Sequence, residues 1–183
     1  RLFISAHNSF NVAADDIADV YDYSRRIEVL PPVDEGIPTF AYTDFGPKGE
    51  LIEENYVEDL DLTLTRFANG VRYNFKQTDF EANNIQINLR VGSGRLTQSQ
   101  ETSGLDYLAN YGLLSGGLGK HDNNEMSDIL NGHVISLKFG VGFDAFVFSA
   151  NCAPRELTLT LQTLTAILSD IAYRPQAMRT ARS

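Results

Sequence analysis

Histidine, cysteine and paired acids carry most side-chain chemistry, and this sequence has few of them: His7, His121, His133 and a single cysteine, Cys152. His121-Asp122, with Glu125 close behind, is the one place where a histidine stands among acids in sequence. An imidazole beside carboxylates suits a divalent metal or an acid-supported base. In a run of Asn and Asp, however, the same residues read as a surface turn opening a helix. Cys152 closes an apolar run between Ala150 and Ala153, which predicts a buried, inert thiol. A nucleophilic thiol needs a histidine beside it, and the spacing pairs none of the three with Cys152. Gly92-Ser93-Gly94 and Gly116-Gly117-Leu118-Gly119 lack the Lys-Ser/Thr and the βαβ context of a phosphate cradle, so they read as turn glycines.

A second pattern lies on a predicted helix. Leu105, Leu108, Ala109 and Leu113 fall on one face, with Ser103 as the N-cap. Tyr107 and Tyr111 are one turn apart on the same helix, with Asn110 between them. None of the three supplies an imidazole or a carboxylate, so this helix offers zinc no donor set and water no base. The tyrosines read as half-buried packing groups with wet hydroxyls.

These helices need a scaffold, and the chain has the length for one good core or for a domain with a long attachment: 183 residues. It starts at Arg1 without an initiator Met and reads as an excised segment of something longer. With 24 acidic and 15 basic side chains, the net charge is −9. That field argues against nucleic acid or anionic membrane as partners. The basic clusters Arg25-Arg26 and Arg174 to Arg182 read as solvated surface. One cysteine permits no internal disulfide, no apolar run reaches the roughly 20 residues of a membrane span, and no signal peptide is visible.

Residues 1–23 read as the tail of a preceding domain, with a strand-like Leu2-Phe3-Ile4 and then an acidic stretch with Ile17 and Val20 at helical spacing. Residues 24–58 hold Pro31, Pro32, Pro38 and Pro47 and follow neither helical nor strand periodicity. They read as an extended connector, and Phe40, Tyr42, Phe45, Leu51 and Ile52 should press it against a surface. From residue 59 the pattern is regular. Asn69-Gly70 predicts a type I′ hairpin between Leu62–Phe67 and Val71–Lys76. Ile85, Ile87, Leu89 and Val91 alternate with polar residues as a half-buried strand. A short helix from Asn124 to Asn131 should stop at Gly132. Ile135–Val141 and Ala145–Ala150 make a second hairpin around Gly142 to Asp144. Pro154 opens a longer helix with Leu157, Leu161, Leu164 and Leu168 as the expected buried stripe, and Arg174-Pro175 starts another. The order β-β-β, α-α, β-β, α-α predicts an α+β domain, an antiparallel sheet covered by helices on one face, in two layers.

The same elements carry a family resemblance. Thr65-Arg66-Phe67-Ala68-Asn69-Gly70-Val71-Arg72-Tyr73-Asn74-Phe75-Lys76 resembles the opening hairpin of an insulinase-like (pitrilysin) zinc metallopeptidase domain. Ile85 to Val91 with Gly92-Ser93-Gly94-Arg95 resembles that family's next strand and exit. Ser103-Gly104-Leu105 resembles the approach to the helix bearing its inverted zinc motif, H-x-x-E-H, and Gly116 to His121 the loop to its second helix. On that alignment the two zinc histidines and the intervening glutamate read Tyr107, Tyr111 and Asn110. The third zinc ligand would fall at or just past Ser183. The resemblance therefore implies that residues 59–183 are the first part of an inactive, metallopeptidase-like domain of the C-terminal half. No residue of the segment takes a catalytic, metal or cofactor role, and zinc belongs to the other half of the parent. The implied partners are that N-terminal catalytic half and a peptide substrate enclosed in a chamber. The net negative charge would favour basic or neutral peptides within about 8 Å of the surface. A periplasmic or envelope-associated location follows from bacterial members. The alternative is a structural or assembly subunit similar to the protease-like core proteins of respiratory complexes, without peptidase activity.

Overall fold

The computed structural model describes residues 3–4, 12–30 and 36–180. The chain divides into two units, 1–36 and 37–183. In the first, the acidic stretch forms helix α1 (Ala14–Ser24), with Asp15 and Asp16 in its first turn, where carboxylates oppose the helix dipole. Phe3 and Ile4 are exposed and form no strand, while Leu2 and His7 lie outside the described residues.

The second unit contains two antiparallel sheets. Strands β1 (Leu51–Val57), β2 (Leu62–Phe67) and β3 (Arg72–Phe75) pair in the order β1-β2-β3. Residues 51–57, placed by sequence within the connector, thus form a strand. Leu-Ile-Glu-Glu-Asn-Tyr-Val carries no period of two because neither side of the strand is buried: every residue but the half-buried Val57 is exposed. The β2–β3 hairpin forms where Asn69-Gly70 predicts it, but not with a type I′ turn. Among the described residues only Asp61 and Asn83 besides glycines have positive φ, so Asn69 does not supply one of the two left-handed positions a type I′ turn needs. The Gly70 amide instead donates to the Phe67 carbonyl at 2.9 Å, and Gly70 takes the left-handed conformation at φ 85°. This is a type I turn followed by a glycine bulge, and the Asn69 side chain accepts from the Val71 amide at 3.1 Å.

Strands β4 (Ile85–Val91), β5 (Ile135–Val141) and β6 (Phe146–Cys152) form the second sheet in the order β4-β6-β5. Register aligns Ile87 with Ala150 and Leu137, and Leu89 with Phe148 and Phe139, so one face is continuously apolar. The Phe139 and Phe148 rings lie 4.9 Å apart. On the opposite face Ser149 bonds Asn88, and Arg90 pairs with Asp144 of the β5–β6 turn at 2.7 Å. Helix α2 (Leu105–Gly112) packs on β5 and helix α4 (Leu157–Asp170) on β6. Helix α3 (Asn123–Leu130) stops beside Gly132, and α5 (Pro175–Thr180) starts at the expected proline. The fold is α+β, with antiparallel strands and helices layered on the apolar face.

The orientation of α4 differs from the leucine pattern. Leu164 is buried, but Leu161 and Leu168 are 46% and 48% exposed, while Thr160 and Thr163 are 1% and 3% exposed. The buried face, Thr160, Thr163, Leu164 and Ile167, is rotated roughly a quarter turn from the leucine stripe. Two threonines can occupy it because their hydroxyls donate back to the Glu156 and Leu159 carbonyls at 2.9 and 2.8 Å, so neither buried hydroxyl lacks a partner. Leu105 of α2 is likewise exposed, and Gly104, not Ser103, stands at the cap with φ 87°.

Leu164→Ala should therefore cost about 2–5 kcal/mol of stability, the transfer and cavity cost of a buried leucine. Leu161→Ala should cost no more than about 0.5–1 kcal/mol. Urea denaturation of both variants checks the orientation, and equal losses would show that α4 presents another face.

Candidate functional site

Helix α2 carries the three positions of greatest chemical interest, and the fold uses them differently. Tyr107 and Tyr111 point outward, each 63% exposed, with ring centroids 4.9 Å apart. They are more exposed than the packing role predicted. The adjoining Tyr111 phenol raises the Tyr107 pKa above its ordinary value, so at neutral pH Tyr107 offers no phenolate. Asn110 turns inward, and its Oδ1 accepts from the Val141 amide at 2.8 Å, tying α2 to the end of β5. Asp106 at the helix start bonds Arg95 at 2.8 Å and Gln98 at 3.1 Å; these bonds, Gln98's foremost, hold its carboxyl below the usual range. Two tyrosines and an engaged amide supply neither imidazole nor carboxylate and do not fit a zinc site.

His121 was expected on a surface turn and is instead buried, at 5% exposure. The segment folds inward because the imidazole stacks on Phe40 at 5.8 Å and meets the edge of Tyr42. Its Nε2 accepts from the Ala41 amide at 2.9 Å, which assigns the ring proton to Nδ1. Nδ1 is buried without a hydrogen bond among the described residues, 3.8 Å from the nearest Glu125 oxygen. Asp122 and Glu125 form the capping box of α3: Asp122 accepts from the Asn124 and Glu125 amides, and Glu125 accepts from the Asp122 amide. Those two amides, Glu125's first, lower the Asp122 pKa. The helix start was legible; the buried histidine before it was not.

The same pocket holds Tyr42. Its hydroxyl donates to Asp170 Oδ2 at 2.6 Å and accepts from the Lys120 amide at 2.8 Å, while the Lys120 ammonium sits 5.0 Å from the ring centroid. Burial, then Asp170, raises the Tyr42 pKa. The glycine run 116–119 exists for this packing. A Cβ on Gly117, already at φ 69°, would meet the His121 carbonyl at 2.7 Å, and one on Gly119 would meet the Asp170 carboxylate at 2.5 Å. Arg174, read as solvated surface, donates instead to the Gly116 and His121 carbonyls.

Cys152 is buried in β6 as expected, at 1% exposure. It and His133 line an open groove of about 560 Å³ with Asn83, Asn84, Ser136 and Asn151, but no hydrogen bond joins them. His133 Nδ1 bonds Glu156 at 2.6 Å, and Arg155 bonds the other carboxylate oxygen at 2.9 Å; His133, then Arg155, keeps the Glu156 carboxyl acidic despite its burial. Among the described residues no three His, Cys, Asp or Glu side chains are grouped to hold a metal, and His7 lies outside them.

No protein-family profile and no curated protein matches the sequence. Solved structures do. The chain is similar to the periplasmic protease PqqL from Escherichia coli, with a TM-score of 0.72 and 15% identity over 92% of this chain and 19% of that one. It is also similar to a mutant of the ferredoxin protease FusC solved with Arabidopsis ferredoxin, with a TM-score of 0.69 and 13% identity over 94% of this chain and 20% of that one. The chain thus has the fold of a part of these proteases and spans about a fifth of their length.

Tyr42→Phe should cost about 1–3 kcal/mol, because Asp170 and the Lys120 amide lose a buried partner. A folded-state pKa raised above the unfolded value near 10 means that Tyr42 stabilises below that pH and ceases to as pH rises through the folded-state pKa. Wild-type stability should accordingly fall more steeply than that of Tyr42→Phe on the alkaline side. Parallel pH profiles of the urea midpoint would contradict this account of the pocket.

Proposed function

We propose that the chain is the connector and first part of a non-catalytic domain from the C-terminal half of an insulinase-like zinc metallopeptidase. Its role there is to form a wall of the chamber that encloses a peptide, while the N-terminal half of the same parent holds zinc and hydrolyses the substrate. The observation that carries this reading is the combination of a protease-like fold over more than nine-tenths of the chain with Tyr107, Asn110 and Tyr111 where an inverted zinc motif would stand. A wall needs rigid placement more than reactive groups. Asn110 at the glutamate position serves such placement, since it fastens α2 to β5. The residue types also support a passive role: the zinc-motif positions hold Tyr107, Asn110 and Tyr111, His121 gives its Nε2 lone pair to the connector, and among the described residues no histidine is hydrogen-bonded to Cys152. PqqL is described as periplasmic, which supports a periplasmic or envelope location for the parent.

The isolated chain, purified without chelator and dialysed, should carry well under one zinc per molecule by elemental analysis and leave quenched fluorescent peptides uncut. The triple variant Tyr107→His, Asn110→Glu, Tyr111→His should gain at most labile zinc and no turnover, for want of a third ligand and of partners to orient the imidazoles. In the full-length parent, Tyr107→Phe and Tyr111→Phe should leave chelator-sensitive cleavage within about twofold, since neither is asked to touch the reacting atoms. Zinc-dependent turnover by the triple variant, or loss of the parent's cleavage in either Phe variant, would refute the passive-wall reading.

A further inference from the structure

One face of the β1-β2-β3 sheet carries three exposed aromatic side chains around the buried Thr65. Direct cross-strand partners share a face, and the register stacks the rows Tyr56–Thr63–Phe75 and Glu54–Thr65–Tyr73 on one side. The Tyr73 and Phe75 rings, two residues apart, lie parallel with centroids at 6.3 Å, as this placement requires. Tyr56, Tyr73 and Phe75 are 58%, 51% and 48% exposed. Glu54 stands within this apolar surface, and among the described residues it forms no ion pair. The Tyr56 hydroxyl donates to Asp61 at 2.7 Å, which brings a second carboxylate to the end of the face. The two arginines of these strands, Arg66 and Arg72, stand in the neighbouring row with Glu53, on the other side of the sheet. The face is therefore aromatic and anionic, with no cation of its own strands upon it.

That combination restricts the occupant. A purely apolar partner would bury the Glu54 carboxylate unpaired, which is costly. A second copy would set Glu54 near Glu54 between chains of net charge −9 each, and like charges repel. A cation between the rings answers both difficulties, since ammonium and guanidinium groups are attracted to aromatic faces and to carboxylates alike.

We propose that this face binds an extended polypeptide segment bearing lysine or arginine, which lies across the three strands and sets its cationic side chains between the aromatic rings and Glu54. The inference deepens the chamber-wall reading and rests on it for the identification of the segment as an enclosed peptide. The binding measurement itself uses only the purified chain.

Fluorescence anisotropy with a labelled decapeptide alternating Lys or Arg with Val and Thr should show saturable binding, and its Glu-substituted counterpart should show none. Raising salt from about 50 mM to about 0.5 M should weaken the complex. Glu54→Gln should weaken it about 5–10-fold. Tyr73→Ser with Phe75→Ser should abolish it while the circular dichroism spectrum of the folded chain is retained, since both side chains are half exposed in the wild type. Equal binding of the two peptides, or indifference to Glu54→Gln, would overturn the proposal. So would a dimer by light scattering that the double serine variant dissolves, since the face would then belong to a second copy. Failure of these binding tests leaves the zinc and cleavage measurements on the parent untouched, so the two readings are judged separately.

Discussion

The Tyr42 hydroxyl is the point on which the second unit closes. It is held at once by the Asp170 carboxylate at the end of α4 and by the Lys120 amide of the glycine loop, so three remote segments meet on one oxygen. The ring belongs to the core with Leu118, Phe148, Ala150, Leu164, Ala166 and Ile167. Residues 40–42, which precede every strand, thereby become part of the domain's interior. The neighbouring amide of Ala41 is satisfied by His121, so the segment is fixed by backbone and side chain together. That bond, part-buried between the connector and the buried His121 ring, gives the imidazole nitrogen a role in holding the fold.

The glycine run and the last turn of α4 follow from the same constraint. For Tyr42 to reach Asp170, the loop at 117–119 must lie against residues 170–172, and it does so by backbone pairing: Gly119 donates to the Asp170 carbonyl and the Ala172 amide to Gly117. Side chains on the glycines would collide with backbone and carboxylate there. Small groups on the buried face of α4 belong to the same packing. Thr160, Thr163 and Ala166 are buried, and threonine is suited to the place because its hydroxyl can bond its own helix.

Functionally, the molecule spends its polar side chains on architecture. Asn110 fastens a helix to a strand, His121 holds a connector, and Glu156 is held by His133 and Arg155. What remains free of internal duties is surface: the paired tyrosines of α2, the leucines on the outer face of α4 and the aromatic side of the β1-β2-β3 sheet. Such a distribution supports the wall role proposed above.

Local physics was enough to determine much of this from sequence. Alternation specified β4 and β5, Asn-Gly placed the first hairpin, proline and glycine marked helix ends, and the absence of imidazole and carboxylate at Tyr107, Asn110 and Tyr111 was a matter of residue type alone. Each of these signals lies within a few residues of its effect. The tertiary structure decided the rest, because each remaining choice depended on residues distant in the chain. Which face of α4 is buried turns on the sheet it meets, since leucines and back-bonded threonines both form acceptable helical stripes. The division of six strands into two sheets depends on pairings across 61 positions, as between Asn88 and Ser149. The burial of His121 required Ala41, 80 residues away, to bring its amide to the ring, and no periodicity around either residue encodes that meeting.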